Sequence, residues 1–267
     1  MRPHRIGAFV LAAAALGAPT GAAAQIFDSQ QAVNLQTTTT LPAGDLLFEI
    51  SHRFFPPVSD GGDALWGLDG PVINRLGLAY AATDRVMLGI QRSNLDDNLE
   101  LTAKAGLIQD GDAALPFHLG IAGGVAWNMS PALVGAEDNE FQAYVQMPLE
   151  ARLGEPVALG VVPTWLHNPR IRDPESDDAF VLGVHGQVSL TDAVSLLGEW
   201  IVSEERPDQE YDTGTFGVQL RTRGHFFKLL VTNQVRMNPS QVLGGSEAPF
   251  EADELRIGFN ITRRLTF

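Results

Sequence analysis

The ionisable side chains that could do chemistry in this sequence share one pattern. Glu49, Arg53, Arg75, Glu100, Lys104, His185, Glu199, Lys228 and Arg256 each stand in a stretch where polar and apolar residues alternate, and each falls on the polar parity. In an extended chain successive side chains point to opposite faces, so these charges share a face with Gln91, Gln142, Gln146 and Gln219. Fixed charges of both signs on one face suit two tasks. They can line a hydrated passage and set its solute preference, or they can pair with one another and fill an interior. Acid–base pairs spanning the bore would mark a filled interior; separated walls of charge would mark a channel. Catalysis is poorly served. His118 and His185 share the polar parity, but no nucleophile or base is spaced to join them. His52 follows Ser51 on the apolar parity, where rim packing is the expectation. Asp110-Gly-Asp112 lacks the ligand series of a calcium loop. The sequence thus predicts no catalytic residue, no metal site and no cofactor.

The elements that must position these charges are alternating segments at 45–54, 72–82, 85–93, 98–107, 116–127, 140–152, 156–166, 179–189, 193–203, 213–222, 225–235 and 254–267. Each has about the 9–11 residues a tilted strand needs to cross a bilayer, or slightly more. Short connections, such as Thr83-Asp84, Leu153-Gly154-Glu155 and Arg223-Gly224, take turns with long ones, such as 55–71, 128–139 and 236–253. Outer-membrane barrels show this asymmetry, with short periplasmic turns and long outer loops. Trp127, Trp165 and Trp200 fall on the apolar parity toward one end of their segments, as an aromatic girdle at a membrane interface requires. In the last segment Phe259, Ile261, Leu265 and Phe267 form a greasy face that ends the sequence on an aromatic ring. The expected fold is all-β: a single antiparallel transmembrane β-barrel of about 12 strands over residues 45–267.

The bulk properties agree. A net charge of −14 argues against nucleic acid as a partner. There is no cysteine, and mean hydropathy is +0.01, as expected when apolar and polar residues alternate. Residues 1–24 read as a secretory signal: Arg2 and Arg5 precede a short apolar core, and Ala22-Ala23-Ala24 offers a cleavage site near Ala24. Residues 25–44 read as a polar lead-in on the periplasmic side. The long connections hold most of the acidic residues, as in 173–178 and 204–212, so a cation-favouring mouth is one expectation and plain solvated loops the other.

The runs Phe48-Glu-Ile-Ser-His-Arg-Phe54, Trp66-Gly-Leu-Asp-Gly70, Asn74-Arg-Leu-Gly-Leu-Ala-Tyr80 and Thr83-Asp-Arg-Val-Met-Leu-Gly-Ile-Gln-Arg-Ser93 resemble the front end of a bacterial outer-membrane β-barrel family of unknown function. The resemblance implies the fold and the outer membrane of a Gram-negative bacterium, and it carries no catalytic residues to transfer. The final strand is similar to the terminal signal of such barrels. That similarity implies membrane lipid as surroundings, and the barrel-assembly machinery and periplasmic chaperones as partners during biogenesis. The His-x-Ser-Asn-Gly run of outer-membrane phospholipase is absent. The functional expectation is a narrow pore for small solutes or ions. The alternative is a closed barrel acting through its outer loops, and an enzyme ranks last.

Overall fold

The computed structural model describes residues 27, 29–109, 115–130, 141–154, 156–171, 177–204 and 209–267. The signal segment, Asp110–Asp112 and parts of the acidic runs 173–178 and 204–212 lie outside the described residues. The strands are β1 Leu46–Phe54, β2 Val72–Thr83, β3 Val86–Ser93, β4 Asn98–Ile108, β5 Phe117–Asn128, β6 Phe141–Gln146, β7 Leu149–Arg152, β8 Val157–His167, β9 Asp178–Ser189, β10 Val194–Val202, β11 Thr213–Arg221, β12 His225–Thr232 and β13 Arg256–Leu265. Every pairing is antiparallel, and β1 pairs with β13 from Leu46↔Leu265 to Arg53↔Gly258, so the sheet closes on itself. Pro148, which has no N–H to give, separates β6 from β7. The register does not change across it (Gln146↔Thr164, Leu149↔Val161), so the two make one barrel strand. The result is a closed twelve-strand antiparallel barrel.

Alternation explains the wall. In β4, Asn98, Glu100 and Lys104 point inward and are buried, while Leu101, Ala103 and Leu107 are exposed on the outside. The outer face carries a continuous set of exposed leucines, valines and phenylalanines, which suits a bilayer and would be an aggregation surface in water. Closure leaves no unpaired strand edge in the lipid. The expected segment 225–235 ends early, at Thr232. There the Asn233 side chain accepts from Gly214 N (2.9 Å) and donates to the Asp212 and Ala248 carbonyls, turning the chain inward. The Trp66–Gly70 element folds back on Pro56: a Cβ on Gly67, whose φ is +91°, would lie 2.7 Å from the Pro56 carbonyl oxygen.

Two segments enter the lumen. The expected lead-in does not stay outside: from Phe27 to Leu41 its described residues are buried within the barrel, except the half-buried Gln31. A twelve-strand wall encloses more space than its own side chains fill, and from Ser29 to Leu41 this segment has no charged residue to keep it in water. It closes a small loop on itself through Thr37 N→Gln30 O (3.1 Å) and Ala32 N→Leu35 O (2.9 Å). From the opposite, long-loop end comes the connection after β12, with its short helix α1, Pro239–Val242. The two meet in an apolar cluster where Leu35 joins Val242, Leu243, Tyr144, Val162, Leu166, Ala179, Val181 and Ile201.

Candidate functional site

The buried wall charges hold the main chain of the N-terminal segment. On β10, the Glu199 carboxylate accepts from Val33 N (3.2 Å), Asn34 N (2.9 Å) and Leu35 N (2.8 Å), and from the Asn34 side-chain amide (2.9 Å). Three successive backbone amides converging on one anion form a nest. On β7, Glu150 accepts from Thr38 N (3.0 Å) and Thr38 Oγ1 (2.6 Å). On β4, Lys104 Nζ donates to Gln30 O at 2.7 Å. On β12, Lys228 Nζ donates to the carbonyls of Gln31 and Ala32, both at 2.7 Å, and to Ser29 Oγ at 2.9 Å. His185 lies against Glu150 (3.3 Å) and stacks on Phe27 (4.6 Å between ring centroids). Its ring takes the space over Gly160, where a Cβ would fall 1.8 Å from His185 Nε2.

The cations gather on one arc of the bore. Lys228, Arg53, Arg75 and Lys104 stand on the arc running from β12 through β1 to β4, where Glu49 and Glu100 also stand, so that arc is net positive. Glu150 and Glu199 stand on the arc from β7 to β10. The lumen ion pairs stay on one side each: Glu49 with Arg75 on neighbouring strands, and Glu150 with His185. A field therefore runs across the bore, and the segment's peptide units lie along it. Carbonyls 30–32 face the cations, and amides 33–35 and 38 face the acids. A cavity of about 70 Å³ remains beside the segment, lined in part by Gln31, Glu49, Gln91, Lys104 and Lys228, enough for a few waters.

The tethered outer connection occupies part of the long-loop half. Arg75 donates to Met237 O (2.6 Å), and Glu100 accepts from Ser240 N (3.1 Å), Tyr144 Oη (2.8 Å) and Gln91 Nε2 (2.7 Å). Inserted chain thus enters this antiparallel barrel from both ends, and the sequence matches the Membrane bound beta barrel domain family (DUF5777) over residues 27–265. The chain belongs to this family. Among solved structures it is similar to the NanC porin (8% identity, TM-score 0.52, covering 83% of this chain and 100% of that one). It is also similar to the COG4313 outer membrane channel from Pseudomonas putida F1 (14% identity, TM-score 0.51, covering 85% and 98%) and to the KdgM porin (7% identity, TM-score 0.50, covering 84% and 99%). At these identities the likeness is one of fold. No curated protein matches the chain in sequence.

In this DUF5777 barrel the charges singled out from sequence mostly point inward. Arg53, Arg75, Glu100, Lys104, His185, Glu199 and Lys228 are buried, and Glu49 is nearly so. They contact inserted chain rather than open solvent. Arg256 stands apart at the long-loop rim, donating to Phe55 O (2.9 Å) and Glu254 O (2.7 Å). Trp127, Trp165 and Trp200 lie on the outer face. Trp127 packs on Phe141 (5.9 Å) and Trp165 on His167 (6.1 Å), and Trp200 donates to Asp212 (3.0 Å). On β13, the Phe259 ring packs on His52 in a tilted arrangement (4.5 Å between centroids), so that histidine packs at the rim. Phe267 is 91% exposed at the short-turn end. Sequence reasoning missed Glu150, although it stands on the polar parity of its segment. It also missed the whole insert 27–41, whose only signal was a polar run, uncharged from Ser29 on, with Val33, Leu35 and Leu41 set in it.

Proposed function

We propose that this DUF5777 barrel is a gated channel of the outer membrane for small solutes or ions, and that residues 27–41 are its gate. The observation that carries this reading is the unequal distribution of charge. Glu150 and Glu199 face an arc across the bore that carries Lys104, Lys228, Arg53 and Arg75 against Glu49 and Glu100, and the uncharged run 29–41 lies between the two arcs. Removing that chain would leave two charged walls that water can solvate, which is what a conducting bore needs. Among the described residues the gate is joined to the wall through residues 42–45, so it can leave without breaking a strand pairing. The fold shared with porins supports a pore. In this reading residues 1–24 are a secretory signal cleaved near Ala24, and the short-turn end faces the periplasm. Phe259, Ile261, Leu265 and Phe267 then form the terminal signal for the assembly machinery, with chaperones escorting the chain. Charge lines the path and performs no catalysis.

The test uses the folded protein. Pro42, Ala43 and Gly44 are exposed, so a protease site placed there can be cut after folding. In planar bilayers the uncut protein should be nearly silent and the cut, washed protein should show discrete openings. If the segment is released, as mass spectrometry would show, and the barrel stays silent, the channel reading is lost. A permanently closed barrel acting through its outer loops would replace it, a reading favoured by the contact of Leu35 with Val242 and Leu243 in the bore.

A further inference from the structure

Resting on the gating reading, we propose that the emptied lumen is a binding site for short, uncharged peptides, and that residues 29–38 occupy it as an internal stand-in. The argument starts from what the wall touches. Lys104 and Lys228 take the carbonyls of three consecutive residues, Gln30, Gln31 and Ala32. Glu199 takes the amides of the next three, Val33, Asn34 and Leu35, and Glu150 takes that of Thr38. The side chains that the wall charges reach in this segment are those of Ser29, Gln31, Asn34 and Thr38, all neutral hydroxyls or carboxamides. The wall charges therefore read peptide units and neutral polar side chains, while Leu35 is read by shape, against Gly183.

The chemistry of the site selects that class. Each peptide unit is neutral, yet it carries a dipole of about 3.5 D with its donor and acceptor at opposite ends. A transverse field with cations on one arc and carboxylates on the other orients such dipoles and satisfies both walls together. A ligand with net negative charge would suit Lys104 and Lys228 but would face Glu150 and Glu199 unpaired; a cation meets the converse problem. A neutral sugar offers hydroxyls without a fixed direction. The cavity beside the segment adds an opening for ligand side chains, and Thr262 Oγ1, on a residue that lines it, is buried without a hydrogen-bond partner.

The test takes the protein cut at the 42–44 linker and washed free of its segment. Two readouts run in parallel: block of conductance, and displacement of a fluorophore-labelled peptide of residues 29–38. The second reads binding even in a silent barrel, so failure of the gate and failure of this site are separable. The unlabelled peptide and a peptide of the same composition scrambled around a fixed Leu35 should act at concentrations within about tenfold of each other, while a neutral oligosaccharide of similar mass should need about a hundredfold more. Lys228→Met should weaken both peptides by about tenfold and leave the sugar unchanged. The proposal is overturned if the sugar competes as well as the peptides. It is equally overturned if only the native order binds, which marks a fitted plug, or if no peptide binds.

Discussion

Two pieces of chain fill this barrel, and they are held differently. The connection after β12 is tied at both ends and sits on a relay of neutral amides. Asn238 donates to Asn98 Oδ1 (2.5 Å), Asn98 to Asn128 Oδ1 (2.8 Å) and Asn128 to Gln142 Oε1 (3.1 Å), and Gln142 donates back to Ser240 O (3.0 Å). Arg75 and Glu100 add wall charge there, through Met237 O and Ser240 N. Among the described residues the N-terminal segment is tied to the wall through residues 42–45, and it sits on two carboxylates and two ammonium groups. The amide relay shows that filling this bore does not require ions. Burying ions is the less favourable solution, because each must be stripped of water and a partner lost later leaves a bare charge. Charges concentrated under the segment that can leave fit a seat that is wet for part of its life. Amides under the tethered segment fit a fixed lining that stays in place while the bore conducts.

The strongest way to break this contrast is Glu199→Ala. It leaves the amides of residues 33–35 without an acceptor, at about 1–3 kcal/mol for each that stays buried. The N-terminal segment should loosen while the barrel stays folded. Cutting at a protease site within residues 36–40 should speed up by about a hundredfold, and the uncut protein should begin to conduct. Asn128→Ala, which breaks the amide relay, should leave that cutting rate unchanged. Equal acceleration by both variants would mean that the inserts act as one lid, and the contrast would be gone.

Next in size is the contact where the inserts meet. Leu35→Ala should cost about 2–5 kcal/mol of seating energy, because Leu35 is fully buried among Val162, Leu166, Val242 and Leu243. Gly183 is shaped to it: a Cβ there would fall 2.5 Å from Leu35 Cδ1. Paired with Leu243→Ala in a double-mutant cycle read by the same cutting assay, the coupling should be about 0.5–3 kcal/mol. A coupling near zero would make the two inserts independent and sharpen the case for a gate that moves alone.

The wall was legible in the sequence because a membrane-facing strand must alternate, and the period-2 pattern survives every substitution that keeps lipid outside and polarity inside. Most strand limits fall within a residue or two of the alternating segments. The largest miss, at Thr232, comes from an Asn side chain capping the neighbouring strand, which no periodicity reports. The inward parity of Glu199 or Lys228 was legible for the same reason. Their partners were not. A hydrogen bond from Lys228 to Ala32 O or from Leu35 N to Glu199 is made by the backbone, which every residue carries, so nothing in the identities of residues 29–38 announces it. Ser29 to Thr40 reads as a solvated linker, since Gln, Asn, Thr and Ser favour water as readily as a polar lumen. The weak hint was a polar run with no Asp, Glu, Lys or Arg, whereas chain that stays disordered in water usually carries charge.

The smallest expected effect tests the edge of the comparison. Arg256 stands at the long-loop rim, away from the buried parts of both inserts. It bridges the start of β13 to Phe55 O after β1, lies over the Phe55 ring at 6.0 Å and approaches Glu254 at 3.3 Å. A rim pair of this kind contributes about 0–1 kcal/mol, and the cation over an exposed ring about 0.5–1 kcal/mol. Arg256→Ala should therefore lower the unfolding temperature of the barrel slightly, by opening the β1–β13 seam at its long-loop end. Segment cutting and ion selectivity of the cut protein should not change, since neither depends on that seam. A clear shift in cation over anion permeability would place Arg256 on the conducting path. Selectivity would then be set at the long-loop rim as well as at the seat of the N-terminal segment, and the assignment of the charged seat alone to the wet part of the bore would give way.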